Sequence, residues 1–142
     1  MRIRSATSDD AEAMAGLLAE LGYPTSAAAL PDRVRAIEAE GGAVFVAVFD
    51  GTPVGLASVA SHPTIHEVTP VAYITALVTG TAARGKGVGR ALVAAAEQWA
   101  RENGCVRLSV TSAEHRADAH AFYPRCGMPY SGRRFTKTLS PL

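Results

Sequence analysis

The sequence predicts a mixed α/β fold in a single domain spanning residues 1–142. Its 142 residues suffice for one hydrophobic core and are few for two. Hydrophobic residues make up 48% of the chain and charged residues 19%, a balance typical of globular proteins and unlike that of disordered ones. Strand-like and helix-like periodicities follow one another in the order β-α-α-β-β-β-α-β-α-β, which indicates a sheet crossed by helices.

The N-terminal elements are predicted to be a strand and two helices. Apolar alternation around Ile3 predicts the strand. Polar cap-type residues then precede a helix over Ala11–Leu21, in which apolar residues recur at helical spacing. A second helix is capped near Thr25, is interrupted early by Pro31 and ends at the glycine pair 41–42.

A hairpin and a buried strand are predicted to follow. Ala43–Phe49 is rich in β-branched and aromatic residues and ends at Asp50-Gly51, a strong signal for a tight hairpin turn. Residues 54–60 form the return strand, and a loop without periodicity follows over residues 62–70. Val71–Thr79 is almost wholly apolar, as expected of a strand buried on both faces.

The remaining elements begin with a long helix over residues 88–103, whose apolar residues form one stripe and which ends at Gly104 in a left-handed cap. Alternating apolar residues predict a strand over residues 106–111. A short helix over 116–122 and a last strand over 132–139 complete the chain.

Charge divides the chain into two halves. Residues 1–70 carry nine acidic side chains and four arginines, a net charge of −5, whereas residues 71–142 carry ten basic and four acidic side chains, a net charge of +6. The whole chain is near neutral at +1 and has no basic-aromatic cluster, so nucleic acid is not an expected partner. No stretch approaches the roughly 20 apolar residues of a membrane span, and no apolar leader follows Met1, so we expect a cytoplasmic protein without a membrane partner.

The most informative segment is residues 80–87, called the glycine loop below, together with the start of the long helix. Glycine lets the backbone approach a ligand and adopt positive φ, while a helix N-terminus offers unpaired N–H groups and the positive end of the helix dipole. Three glycines at 85, 87 and 89 are interspersed here with three cations, Arg84, Lys86 and Arg90. We interpret the segment as a binding site for phosphate oxygens, the alternative being a tight turn with solubilising charges.

Two nucleotide-binding motifs fail at this loop. Residues 80–87 nearly match the P-loop, but Gly87 stands where a magnesium-binding Ser or Thr is required. The dinucleotide fingerprint fails as well, because its third glycine would fall at Arg90 or Leu92. A magnesium-dependent nucleotide site is therefore the weaker alternative.

The segment Arg84-Gly85-Lys86-Gly87-Val88-Gly89 resembles the Arg/Gln-x-x-Gly-x-Gly/Ala signature of the GNAT superfamily of acetyl-CoA-dependent N-acetyltransferases. The resemblance implies a central mixed, mostly antiparallel sheet flanked by helices, with strands 4 and 5 splayed apart. It implies that the backbone of Leu77, Val78 and Thr79 pairs with the pantetheine arm of acetyl-CoA. The N–H groups from about Gly85 to Arg90 would then hold the pyrophosphate.

Residues 119–128, Ala-His-Ala-Phe-Tyr-Pro-Arg-Cys-Gly-Met, resemble the Ala-x-x-Phe-Tyr-x-x-x-Gly-Phe segment of the same family, with Met128 in the place of the aromatic residue. The resemblance implies that Tyr123 is the general acid near the sulfur of CoA. A phenol with a pKa of about 10 can donate to a leaving thiolate with a pKa of about 8.5. The alternative is that Phe122 and Tyr123 close the core. Pro124 is expected to end or kink the helix.

The reaction also needs a base, because an amine attacks a thioester only when it is neutral. Some members of the family place a Glu on the fourth strand, but residues 71–79 contain no carboxylate. The candidate base is Glu67, in the loop before that strand, with His66 beside it and His62 behind; an ordinary polar loop is the alternative. No metal is expected, because Pro63 breaks the helical spacing of the two histidines and no third ligand is evident.

The expected function is acetyl transfer from acetyl-CoA to a primary amine by direct attack in a ternary complex. The acceptor is a small molecule or a protein amine, and the acidic N-terminal half of the chain favours a cationic one. The alternative is a non-catalytic CoA-binding or regulatory module of the same fold. Because members of the family often dimerise, a homodimer is an expected state of the protein.

Overall fold

The computed structural model describes residues 1–111, 117–132 and 134–139. The chain divides into two compact units, Met1–Val110 and Thr111–Leu142. The larger unit contains the sheet, the first three helices and the glycine loop, and the smaller unit contains a further helix. That the whole chain forms a single domain stays a prediction.

The sheet of the larger unit has five strands in the order β1-β2-β3-β4-β5. The first four pair antiparallel, and β4 pairs with β5 in parallel. This confirms the mixed, mostly antiparallel sheet. The strands are β1 Arg2–Ser5, β2 Ala43–Phe49, β3 Thr52–His62, β4 Val71–Thr79 and β5 Leu108–Val110.

Helices lie against both faces of the sheet. On one face, directly opposed residues Val46, Leu56 and Val78 of β2, β3 and β4 pack against the first two helices. On the other face, Ala57 and its neighbours pack against the third helix. None of the helices in the described part of the chain is long and apolar enough to cross a membrane. The helices are α1 Ala11–Leu21, α2 Leu30–Ala39, α3 Val88–Glu102 and, in the smaller unit, α4 Ala117–Arg125.

The two halves of β4 have different neighbours. Pairing with β5 is confined to three β4 residues, from Ala72 to Ile74. The pairing of β4 with β3 shifts by one residue at this point, so that Thr75 has no residue opposite it. Within residues 1–110, the second half of β4 therefore pairs with β3 alone, as the predicted splay of strands 4 and 5 requires.

Prolines and one predicted strand account for the main differences from expectation. Pro31 does not interrupt the second helix but lies in its first turn, where its missing N–H would have no intrahelical partner. A 3-10 turn, Ala27–Ala29, precedes it. The predicted strand at 132–139 is wrong for residues 132 and 134–139, which form no strand. These residues are exposed, and Phe135 is 91% exposed, so the segment buries no face as a strand of the sheet would.

The expectation that Pro124 ends the helix is also wrong, because α4 continues through Pro124 to Arg125. Proline removes only its own N–H, and the groups after it remain bonded. Cys126 N donates to Phe122 O over 3.2 Å, and Met128 N donates to Tyr123 O over 2.9 Å. Gly127, at φ +80°, provides the left-handed residue that ends the helix. Residue 116, the predicted first residue of this helix, lies outside the described residues.

Candidate active site

The glycine loop begins where β4 ends and leads into α3. Its first half, residues 80–83, is anchored to the body of the unit. Gly80 is buried, its N–H donates to Val54 O over 2.7 Å, and a Cβ on it would lie 3.2 Å from Leu17 Cδ2. A 3-10 turn, Thr81–Ala83, follows, and Ala83 is 4% exposed in the core beneath α3. The start of the loop is therefore closely packed.

The second half of the loop is open. Gly85 and Gly87 both have φ of +78°, a left-handed conformation that favours glycine, and a Cβ on either would meet no atom of the described residues within 4 Å. Arg84 and Lys86 are exposed beside them, and Lys86 Nζ lies 6.0 Å from the centre of the Phe49 ring. Residues 84–87 therefore combine open space, glycines that adopt the left-handed conformation without strain, and positive charge.

The N-terminus of α3 follows directly. The helix begins at Val88, which is 1% exposed, and its first turn also holds Gly89 and the exposed Arg90. The helix lies close to the sheet at this end, since a Cβ on Gly55 of β3 would come within 2.8 Å of Val88 Cγ1. The first N–H groups of a 15-residue helix have no intrahelical partner and carry the positive end of its dipole. The loop and helix together can hold phosphate oxygens.

A carboxylate that the sequence analysis missed also contacts the loop. Glu20, in the last turn of α1, accepts hydrogen bonds at Oε1 from Thr81 N over 3.1 Å and from Thr81 Oγ1 over 2.5 Å. The Thr81 hydroxyl and, next, its N–H lower the pKa of Glu20, and the positive charge of Arg84 adds to this. No periodic or motif signal links two residues separated by 61 positions, so the sequence alone did not indicate the contact.

The predicted pantetheine-binding residues lie at the end of β4 that has no β5 neighbour. Leu77, Val78 and Thr79 pair with Ala57, Leu56 and Gly55 of β3. The side chain of Val78 is buried against α1, so the backbone edge is the part of this segment that remains for a ligand.

Tyr123 belongs to the smaller unit, near the C-terminal end of α4. Its ring packs against that of Phe122, with centroids 5.2 Å apart and planes at 70°. Both rings are partly exposed. The edge-to-face geometry is a favourable aromatic arrangement and holds the phenol in one orientation relative to its neighbour. The role of Tyr123 as an acid stays a prediction.

Glu67 lies at the other end of β4 from the glycine loop. Its Oε1 accepts a hydrogen bond from Arg107 Nη1 over 2.5 Å, and its side chain is only 20% exposed. Between Glu67 and the loop lies the whole of β4, whose nine residues span about 26 Å at the usual rise of a strand. Nearby, the rings of His62 and Tyr73 lie 5.7 Å apart. The structure thus brings the predicted cofactor-binding residues together and places Glu67 at the opposite end of β4 from the glycine loop.

Residues 11–128 match the model of the acetyltransferase (GNAT) family. The match includes the glycine loop, α3 and the segment around Tyr123.

Individual proteins agree with that match. The chain is 36% identical over 135 residues to an aminoglycoside N(6')-acetyltransferase type 1 of Stenotrophomonas maltophilia, covering 92% of this chain and 88% of the relative. A protein of Agrobacterium tumefaciens strain C58 that carries the provisional name acetyltransferase has a similar structure, with a TM-score of 0.86, 27% identity and coverage of 98% and 100%. The aminoglycoside N-acetyltransferase AAC(6')-Iy in complex with CoA shares the fold, with a TM-score of 0.82, 20% identity and coverage of 99% and 100%.

Proposed function

This chain belongs to the GNAT acetyltransferase family, and we propose that it transfers the acetyl group of acetyl-CoA to a primary amine. The observation that carries the proposal is the glycine loop, which combines left-handed glycines, exposed cations and a helix N-terminus at the end of β4 that β5 does not reach. Acetyl-CoA supplies an activated acyl group as a thioester when it is bound.

The proposed cofactor site has two parts. Arg84, Lys86 and Arg90, with the backbone from Gly85 through Val88 and Gly89, bind the pyrophosphate by charge and by N–H donation. The backbone of residues 77–79 pairs with the amides of the pantetheine arm along the free edge of β4. The residues fit such a ligand because Gly85 and Gly87 leave open space where side chains would stand. The CoA complex of the fold neighbour supports the same choice of ligand.

For the chemical step, we assign Tyr123 as the general acid that protonates the leaving thiolate. Tyr123→Phe removes the donor and keeps the ring, so an enzyme should lose about 10²-fold or more in turnover and keep its affinity for CoA. Turnover is followed by thiol release. Unchanged turnover would contradict the assignment, and binding without turnover in the unmodified protein would favour a non-catalytic CoA-binding module.

For the base, Glu67 is the proposed residue. Because a strand of nine residues separates it from the glycine loop, proton removal by Glu67 would pass through intervening water. Glu67→Gln should lower turnover most at low pH, where the acceptor is mainly protonated. Arg107→Ala is the matched variant, since it removes the ion-pair partner and leaves the carboxylate in place.

The proposed acceptor is a cationic amine. The net charge of −5 over residues 1–70 and the aminoglycoside substrate in the name of the Stenotrophomonas relative support this choice. A kinetic screen of cationic, neutral and anionic amines tests it, and a preference for neutral or anionic acceptors would contradict it. A cytoplasmic location and a homodimer stay predictions.

The first experiment is a titration of acetyl-CoA, CoA and ATP–magnesium followed by calorimetry. We expect acetyl-CoA and CoA to bind, and the double variant Arg84→Ala, Lys86→Ala to weaken both by about tenfold or more through the loss of two phosphate contacts. Arg2→Ala, Arg33→Ala removes the same charge from exposed positions outside the loop and should change little. Binding of ATP–magnesium alone would contradict the proposal.

A further inference from the structure

Helix α1 and the glycine loop meet through the side chain of Glu20. The carboxylate accepts both the N–H and the hydroxyl of Thr81, the first residue of the 3-10 turn. It also lies against the loop's first residue, because a Cβ on Gly80 would be 3.6 Å from Glu20 Oε2. Two hydrogen bonds to one residue fix the position of the turn relative to the last turn of α1.

Other contacts hold the residues on either side of Thr81. Gly80 N donates to Val54 O over 2.7 Å and Ala83 is buried in the core beneath α3, whereas Glu20 holds Thr81 at the start of the turn. Within it, Ala83 N donates to Gly80 O over 2.9 Å, and Arg84 N reaches Thr81 O only over 3.4 Å. The second bond lies beyond the usual range of N–H···O distances. Residues 84–87 therefore follow a turn whose first residue, Thr81, is held by Glu20 of α1 through its hydroxyl and its N–H.

An anchor at Thr81 favours ligand binding by the open half of the loop, residues 84–87. Fixing the backbone of a residue costs about 1–2 kcal/mol of conformational entropy, and a site that is ordered before its ligand arrives avoids that cost on binding. Gly85 and Gly87 add freedom to the unfolded loop, because glycine has more accessible conformations than other residues. Order must then come from contacts at the ends of the loop.

We propose that Glu20 is a positioning residue for the glycine loop: it holds the Thr81 turn so that the N–H groups after it face the phosphates of the ligand. The inference rests on the proposed function, since it names the phosphate-binding loop of that site. Glu20 does not touch the phosphates in this role. It acts as a hydrogen-bond acceptor, so an uncharged acceptor of the same shape should serve nearly as well.

The hydrogen bonds between Glu20 and Thr81 determine which variants test the proposal. Glu20→Ala removes both hydrogen bonds, whereas Glu20→Gln keeps an oxygen that can accept them. Glu12→Ala is the matched control, because Glu12 is exposed on the same helix and lies in its first turn, away from the loop. Thr81→Val removes the hydroxyl and keeps the N–H, which tests the other partner.

Two measurements on the full chain separate this inference from the proposed function. Hydrogen–deuterium exchange of the ligand-free protein should be faster over residues 80–87 in Glu20→Ala and Thr81→Val, and unchanged in Glu20→Gln and Glu12→Ala. Calorimetry with CoA should show affinity about fivefold to tenfold weaker in Glu20→Ala, within twofold of the unmodified protein in Glu20→Gln, and unchanged in Glu12→Ala. The double variant Glu20→Ala, Thr81→Val should be little worse than Glu20→Ala.

Each outcome decides one of the two ideas. If the unmodified protein binds CoA and Glu20→Ala binds it equally well, the role of Glu20 is wrong and the proposed function stands. If exchange over residues 80–87 depends on Glu20 but no CoA binds, the proposed function is wrong and Glu20 is a structural contact only. If Glu20→Ala fails to fold, the comparison of Thr81→Val with the unmodified protein decides, and equal exchange and affinity would overturn the inference.

Discussion

The two ends of helix α1 are each joined to another element by a carboxylate, and the two carboxylates differ in their surroundings. Before the helix, Asp10 is 3% exposed and accepts hydrogen bonds from Arg4 Nη1 over 2.7 Å, Arg4 Nη2 over 2.9 Å and Thr7 N over 2.8 Å. At its end, Glu20 is exposed and its partner, Thr81, is neutral. The first joins α1 to β1, and the second joins it to the glycine loop.

The difference indicates that stability and ligand binding depend on opposite ends of one helix. A buried charge that loses its partner is strongly destabilising, whereas an exposed one is rehydrated at little cost. The pKa of both carboxyls is lowered, at Asp10 chiefly by the Arg4 guanidinium and at Glu20 chiefly by the Thr81 hydroxyl. Three measurements test whether the two carboxylates differ in this way.

The largest effect is expected at Asp10. Asp10→Ala leaves the Arg4 guanidinium without its bidentate partner and removes the acceptor of Thr7 N–H, so the free energy of unfolding should fall by about 2–3 kcal/mol. Arg4 is 29% exposed and can be partly rehydrated, which keeps the loss at the lower end of the range for buried pairs. Urea unfolding measures it. Asp9→Ala, at the exposed neighbouring position, is the control, and equal losses in the two variants would contradict the comparison.

An intermediate effect is expected in acid. Because the pKa of Asp10 is lower in the folded protein than in the unfolded one, its contribution is fully present above the unfolded value of about 3.9 and is lost as the pH falls through the folded value. The difference in unfolding free energy between the unmodified protein and Asp10→Ala should therefore be constant from pH 7 to about pH 4 and shrink below it. Unfolding curves at several pH values measure this, and a difference that grows in acid would have the wrong sign.

The smallest effect on stability is expected at Glu20. Glu20→Ala should change the free energy of unfolding by no more than about 0.5 kcal/mol, because the side chain is exposed and its hydrogen bonds are replaced by water. The same variant is the one expected to weaken CoA binding. A loss of stability as large as that of Asp10→Ala would show that both ends of α1 serve the fold alike.

Regular elements were predictable where one local pattern determined them. The bounds of α1, β2 and β4 agree with those predicted, and α3 ends one residue earlier. Each is a contiguous run with one local signal: helical spacing in α1 and α3, β-branched and aromatic residues in β2, and an almost wholly apolar run in β4. The glycine loop was predictable for the same reason, since its glycines, its cations and the helix after it are adjacent in sequence. Its phosphate-binding role stays a proposal.

Features that depend on distant or missing neighbours were not predictable. Glu20 is one of nine acidic residues in the first 70, and only the fold brings it to Thr81. Residues 134–139 were predicted to be part of a strand, but they are exposed and form none, because no neighbouring element covers them within the described residues. Pro124 has the local character of a helix stop, yet hydrogen bonds from the residues after it carry α4 one residue further.

The gap beside β4 also bears on self-association. An unpaired strand edge is a template for pairing with another molecule, and long flat edges lead to aggregation. Within residues 1–110, the stretch of this edge without a partner is only the five residues 75–79, bounded at one end by β5 and at the other by the turn at Gly80, and its pairing with β3 is irregular at Thr75. A foreign strand of the usual length, about 5–6 residues, would need the whole of this stretch, including the irregular position at Thr75. The short unpaired segment that leaves room for the pantetheine arm along β4 thus disfavours strand addition from another molecule.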